Sequence, residues 1–417
     1  MLNRRQFSKS FLGAGLGLLG SRNLLAGAIS AVSPPQAAPR ADEKFDLLIK
    51  GGTLIDPGQQ LHALRDVAVL NGKIREISAD IAESRALRVI SAKGKIVTPG
   101  LIDVHQHCYD GVADCVNADH FCLAKGVTTV VDGGSAGYPA IANFRRYVIN
   151  TSVTRIKALV NVSPFGAVGV GGTIDVLKAV DPELAAKAAE DNKPVVVGIK
   201  VRLGAEIQGA DDVEFLKRGV QAAQATGLPL MAHIDGPYSP LSELLPMLRK
   251  GDVYTHFLHA HQHGSLDANG KLLPVVLEAR KRGVYFDVAQ GRSHLSWEVA
   301  EKCMQQGFLP DTLSTDLTRA TASGPVFDLP TMVSKFMALG VSLDQGIEMV
   351  TSNAARIFDY GAQIGTLKAG NEADISIFEL REGMFDFEDS DGKKRAGRQK
   401  LVSTAVVRRG ELLVNET

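Results

Sequence analysis

The spacing of apolar positions divides the chain into three stretches with different periods. Residues 45–97 carry short alternating runs. These are Asp46-Leu47-Leu48-Ile49-Lys50, Thr53-Leu54-Ile55, Asp66-Val67-Ala68-Val69 and Lys73-Ile74-Arg75-Glu76-Ile77, with Gly51-Gly52 and Asn71-Gly72 as turns between them. Such a pattern predicts a small sheet. The C-terminal end repeats it in Ala373-Asp374-Ile375-Ser376-Ile377-Phe378 and in Ser403-Thr404-Ala405-Val406-Val407-Arg408 before the turn Arg409-Gly410. The two ends are therefore expected to build one domain together.

Between them, apolar strand-like runs alternate with helical stretches, as in parallel βα units. The runs end near His105, Asp132, Val162, Lys200, His233, His256, Val288 and Asp316. Eight such runs predict an α/β chain with a (β/α)8 TIM barrel and a small β-sandwich domain built from both chain ends. The barrel is expected over residues 98–362 and the sandwich over 45–97 and 363–417. In such barrels the active site lies at the C-terminal ends of the strands, so the polar residues there are functional candidates.

Composition narrows the chemistry. A chain of 417 residues with 45% apolar content can bury a large core. Its 46 basic and 46 acidic residues cancel, so no global field draws nucleic acid or an anionic membrane, and a small-molecule partner is expected. Cys108, Cys115, Cys122 and Cys303 form no CxxC pair and read as buried, inert thiols.

The N-terminus reads as an address. Asn3-Arg4-Arg5-Gln6-Phe7-Ser8-Lys9 precedes an apolar, glycine-rich stretch at 11–20 and the small-residue segment Ala26-Gly27-Ala28, which resembles a twin-arginine export signal. Ser8 stands where such signals often carry Leu. The apolar stretch falls short of the roughly 20 residues that span a bilayer, so no permanent membrane anchor is expected. Residues 1–30 are thus expected to be a signal peptide, 31–44 a spacer, and the protein periplasmic.

The chemistry centres on Thr98-Pro99-Gly100-Leu101-Ile102-Asp103-Val104-His105-Gln106-His107. In an extended strand His105 and His107 point to one side and Gln106 to the other, so two imidazoles can share a cation. An HxH pair alone could equally hydrogen-bond backbone, but the Pro-Gly-Leu-Ile-Asp context is specific. It resembles the strand-one signature of the amidohydrolase superfamily. Pro310-Asp311-Thr312-Leu313-Ser314-Thr315-Asp316-Leu317 likewise resembles the strand-eight motif of its deacetylase-like branch, related to dihydroorotases and D-aminoacylases.

The resemblance implies a metal-dependent amidohydrolase with two divalent ions, zinc the leading candidate. His105, His107 and Asp316 would hold one ion and His233 and His256 the other, with Lys200 bridging them as a carbamate. A shared water, lowered in pKa, would supply a hydroxide to attack a polarised carbonyl, with Asp316 as the catalytic general base. Tyr109, Arg202 and His294 are candidate substrate contacts. The cluster His259-Ala260-His261-Gln262-His263 follows a strand rather than ending one and suits supporting contacts, and Gly169-Val170-Gly171-Gly172 suits a loop after strand three.

Dihydroorotase-like enzymes commonly carry an arginine two residues beyond the HxH pair, where this chain has Tyr109. Dihydroorotate itself is therefore disfavoured, and the deacetylase-like branch implies hydrolysis of an N-acyl or O-acetyl bond, with a cyclic amide or imide as the alternative. A periplasmic ligand-binding barrel without turnover is disfavoured by the complete ligand set. The resemblance leaves a homo-oligomer open.

Overall fold

The computed structural model describes residues 43–167, 176–204, 211–358 and 363–415. The expected export signal, most of the expected spacer and Gly169-Val170-Gly171-Gly172 lie outside the described residues.

Five strands come from the first stretch: β1 (Leu47–Asp56), β2 (Leu61–Leu70), β3 (Lys73–Ser78), β4 (Val89–Ser91) and β5 (Ile96–Pro99). Seven follow in the middle: β6 (Leu101–Gln106), β7 (Val127–Asp132), β8 (Arg155–Asn161), β9 (Val196–Leu203), β10 (Leu230–Ile234), β11 (Val253–Thr255) and β12 (Tyr285–Asp287). Three close the chain: β13 (Ile375–Glu388), β14 (Lys394–Arg408) and β15 (Glu411–Asn415).

The outer strands form one eight-stranded mixed sheet in the order β15-β14-β13-β5-β1-β2-β3, with β4 on β1. Val67, Val69 and Ile74 from its first wing share a buried cluster with Ile375, Ile377 and Val407 from its second. The sheet thus faces itself across one core, the sandwich part expected from the two chain ends. Asn71-Gly72 and Arg409-Gly410 turn with positive φ at both residues, as tight hairpin loops require. Gly51-Gly52 is no turn: β1 runs through it as a bulge, where the register against β2 slips. A Cβ on Gly52 would meet Val97 Cγ2 at 2.4 Å, so the close strand packing needs glycine there.

The inner strands form a parallel sheet in strict chain order from β6 to β12. Their buried faces read as near-continuous apolar runs because helices cover the outside. The eighth run is not a regular strand. It joins the sheet edges by isolated bridges, Thr312 to Asp287 on β12 and Leu317 to Gln106 on β6. The physical reason lies in its side chains. Thr312 and Ser314 hydroxyls donate to the Asp287 carboxylate, and Thr315 Oγ1 donates to Asp103 at 2.5 Å, so side-chain bonds replace much of the ladder. A second difference concerns Lys200, which sits inside β9 rather than at its end.

The β13–β14 hairpin reaches back over the barrel. Its tip accepts Trp297 N–H on Asp389 Oδ2 at 3.1 Å and Trp297 Nε1–H on the Lys393 carbonyl at 2.9 Å. Ser390 N–H donates to the Leu295 carbonyl at 2.9 Å, so the tip braces the segment that follows β12.

Candidate metal centre and active site

The strand ends gather two sets of donor atoms around one buried lysine. In the first set, His107 Nε2 lies 3.2 Å from Asp316 Oδ1 and His105 Nε2 lies 3.6 Å from the same oxygen. In the second, the His256 ring centre is 4.2 Å from that of His233 and 4.0 Å from that of His294. Within each set the donor atoms lie no more than 4.8 Å apart. Lys200 Nζ lies 3.0 Å from His105 Nε2. Asp235, His259 and His261 form a third cluster on the same scale.

Local backbone explains how these groups converge. His105 in β6 and His107, one residue past its end, both face Asp316 Oδ1. His256, just past β11, and Asp316, in the eighth run, have φ of 74° and 51°, which turns their side chains inward. Asp316 N–H donates to the His105 carbonyl at 2.7 Å and fixes that turn. Gly291 leaves room beside it, since a Cβ there would lie 2.1 Å from Asp316 Oδ2 and 2.9 Å from His294 Cδ2. Gly133 does the same for His105, at 2.4 Å from its Cδ2.

Four imidazoles have their second nitrogen already engaged. His105 Nδ1 pairs with Thr255 Oγ1 at 2.9 Å, whose hydroxyl donates to Asp287. His107 Nδ1 pairs with Ser135 Oγ at 2.8 Å, and Ser135 donates to Asp132. His256 Nδ1 donates to the Ala289 carbonyl at 2.8 Å, and His294 Nδ1 lies 2.9 Å from Asp235 Oδ2. Such outer partners fix ring orientation and leave the inner nitrogen free, the arrangement found around metal-bound histidines. Among the described residues His256 Nε2 is buried with no hydrogen-bond partner, a costly state for a polar atom and one that a cation would relieve. Imidazole nitrogens with carboxylate oxygen also match the donor chemistry of divalent transition metals.

Electrostatics support neutral rings. Burial pushes the His105 imidazolium down to about 4, reinforced by Lys200. Burial likewise holds His233 and His256 well below their ordinary value. For Asp316, burial would raise the carboxyl, but His105, His107 and His294 outweigh it and keep it well below the carboxylate range. Burial lowers the Lys200 ammonium to about 7 against the pull of Asp316.

A cleft of about 820 Å³ opens over these groups, walled by His107, Lys200, Arg202, His233, His294 and Asp316 among others. A neighbouring cavity of about 900 Å³ lies beyond His261 and is lined by neither donor set. Arg202 and His294, expected as substrate contacts, do line the cleft. Tyr109 does not: its ring packs on Phe144 with centres 4.5 Å apart, because the chain after β6 turns into the apolar layer beneath the helices. His259 and His261 gather on Asp235, at 3.5 and 2.5 Å, as supporting contacts. His62 pairs with Asp344 far along the chain. Sequence reasoning missed Asp235, Thr255, Asp287 and Ser135, which carry no motif of their own, although Asp287 closes a strand.

Residues 96–407 match the Amidohydrolase family. The chain is 32% identical over 375 residues to a deacetylase of Enterococcus faecalis, spanning 89% of this chain and all of that protein. Among solved structures, it resembles an adenine deaminase with a TM-score of 0.82 and 32% identity, over 89% of this chain and 100% of that one. A dihydroorotase follows at 0.80 and 27%, over 88% and 97%. With its family match over most of the chain and these relatives, the protein belongs to the amidohydrolase family and is a hydrolase acting on C–N bonds.

Proposed function

We propose that the protein is a binuclear metal-dependent hydrolase that removes an acyl group, as N-acyl amide or O-acetyl ester, from a small molecule. The observation that carries this reading is the pair of donor sets facing each other across buried Lys200, with outer nitrogens already engaged. His105, His107 and Asp316 would hold one divalent ion, and His233 and His256 the other, with zinc the first candidate. Lys200, having added CO2 at Nζ and lost a proton, would lend a carbamate oxygen to each. When bound, such ions lower the pKa of a shared water and polarise the scissile carbonyl.

The chain's own groups do the rest. Asp316 Oδ1 faces His105 and His107, while Oδ2 faces His294 Nε2 at 3.7 Å and borders the cleft. That free oxygen is the general base, taking the proton from the attacking water and returning it to the leaving nitrogen or oxygen. Arg202, on the cleft wall, meets an electronegative group of the substrate. The likeness to a deacetylase of Enterococcus faecalis supports acyl cleavage. A second reading, opening of a cyclic amide, draws on the likeness to a dihydroorotase, but the position two residues beyond the HxH pair, where such enzymes commonly carry an arginine, is here Tyr109, packed on Phe144.

Turnover of N-acetyl amino acids, acetyl esters, cyclic imides and adenine by purified, metal-loaded protein tests the choice. Acyl cleavage that drops on Asp316→Asn is the expected result, and full activity in that variant overturns the mechanism. The same reading includes export to the periplasm by the Arg4-Arg5 signal. Among the described residues no helix is long and apolar enough to cross a membrane. A periplasmic fraction that survives Arg4→Lys with Arg5→Lys contradicts that route.

A further inference from the structure

We infer that His294 is a third imidazole ligand of the second metal site, held there by Asp235 and by the β13–β14 hairpin tip. The inference rests on the binuclear reading above, which gives that site only His233, His256 and the bridging Lys200.

His294 is buried, and its ring centre lies 4.0 Å from that of His256 and 5.1 Å from that of His233. A nitrogen from each of the three falls within 4.8 Å of the others. The orientation of the ring is settled by its neighbours. An ionised carboxylate only accepts, so the 2.9 Å contact from Nδ1 to Asp235 Oδ2 puts the hydrogen on Nδ1 and leaves Nε2 as a lone pair facing inward. Ser293 Oγ also stands 3.3 Å from Nδ1, on the same outer side. This repeats what Thr255 does for His105, Ser135 for His107 and the Ala289 carbonyl for His256. At 3.7 Å from Asp316 Oδ2, Nε2 is too far for a hydrogen bond, so that carboxylate does not use the lone pair.

Asp235 is itself fixed, because its other oxygen takes a 2.5 Å bond from His261 Nδ1. The segment bearing His294 is pinned on both flanks. Gly291 N–H donates to the Thr315 carbonyl at 2.9 Å, and Lys335 Nζ grips Gln290 Oε1 at 2.5 Å. On the far side Leu295 N–H donates to Ser390 Oγ at 3.1 Å and Trp297 N–H to Asp389. Ring and backbone are thus both held in place, as a metal ligand requires.

The test uses full-length protein stripped with a chelator and titrated with Co(II), read by visible absorption and by calorimetry. Wild-type protein is expected to bind two equivalents. In His294→Ala and in the bulkier His294→Gln, the first equivalent is expected to bind as before. The second is expected to weaken at least about 10-fold and to change its absorption bands, and Asp235→Asn to weaken it by about 10- to 100-fold. Two equivalents bound with wild-type affinity and spectrum in both His294 variants overturn the inference and leave the binuclear reading standing. Fewer than two equivalents in wild-type protein overturns the binuclear reading itself.

Discussion

Lys200 and Lys335 are two lysines taken out of water, and burial lowers each ammonium to about 7. Their surroundings differ. Lys335, on the helix Leu329–Ala338, donates to three oxygens: Gln290 Oε1 at 2.5 Å, the Glu388 carbonyl at 2.7 Å and the Pro325 carbonyl at 2.8 Å. Three fixed acceptors satisfy all three hydrogens of an ammonium and tie a barrel helix, the segment after β12 and the hairpin together. Lys200 instead faces a ring nitrogen, His105 Nε2, among further histidines. Burial is common to both, so burial does not mark function. The chemistry of the partners does: oxygens around Lys335 make a fastener, and imidazole nitrogens around Lys200 make a candidate site.

That contrast predicts opposite responses to the same substitution. Lys200→Met should lower hydrolysis at least about 100-fold, as loss of a group that orients or holds metal does. It should leave the melting temperature nearly unchanged or raised, since the methionine fills the space without a buried amine. Assays beside a thermal melt check this, and near-native turnover breaks the comparison. Gly291→Ala comes next. Its Cβ would force Asp316 Oδ2 and His294 apart, and a shift near 1 Å costs about 100-fold in rate. Turnover at the wild-type rate would show that the close packing is not needed.

Lys335→Met should mainly weaken the fold, by about 1–3 kcal/mol, because three buried acceptors lose their donor. Denaturant titration reads the change. The pH dependence has a definite sign. The folded pKa of about 7 lies below the ordinary 10.5, so between those values the unfolded chain carries more protons on this group. Wild-type stability should therefore rise relative to Lys335→Met from pH 7 toward 10.5, and the gap should be smallest at or below pH 7. A gap that shrinks across this window contradicts the reading of Lys335.

The same contrast explains what was legible in the sequence. The period of β6 put His105 and His107 on one face, and hairpin turns such as Asn71-Gly72 follow from residues that tolerate positive φ. These signals are local. The eighth run looked like a strand by composition, but its hydroxyls bond Asp287 and Asp103 from other strands, which no local pattern reveals. Asp235, Thr255 and the pairing of Lys335 with the hairpin depend on segments that meet only in the fold. Tyr109 lies off the cleft for a related reason, because spacing from a motif fixes where a residue stands along the chain and not which way the chain then turns.

The proposed function requires two divalent ions between the donor sets, without which hydrolysis stops. Metal analysis of purified protein, coupled to an acetyl-hydrolysis assay before and after chelation, tests it most directly. The account predicts about two equivalents per chain, loss of turnover when they are removed and recovery when Zn(II) is returned. Undiminished turnover by protein shown to be metal-free would contradict it.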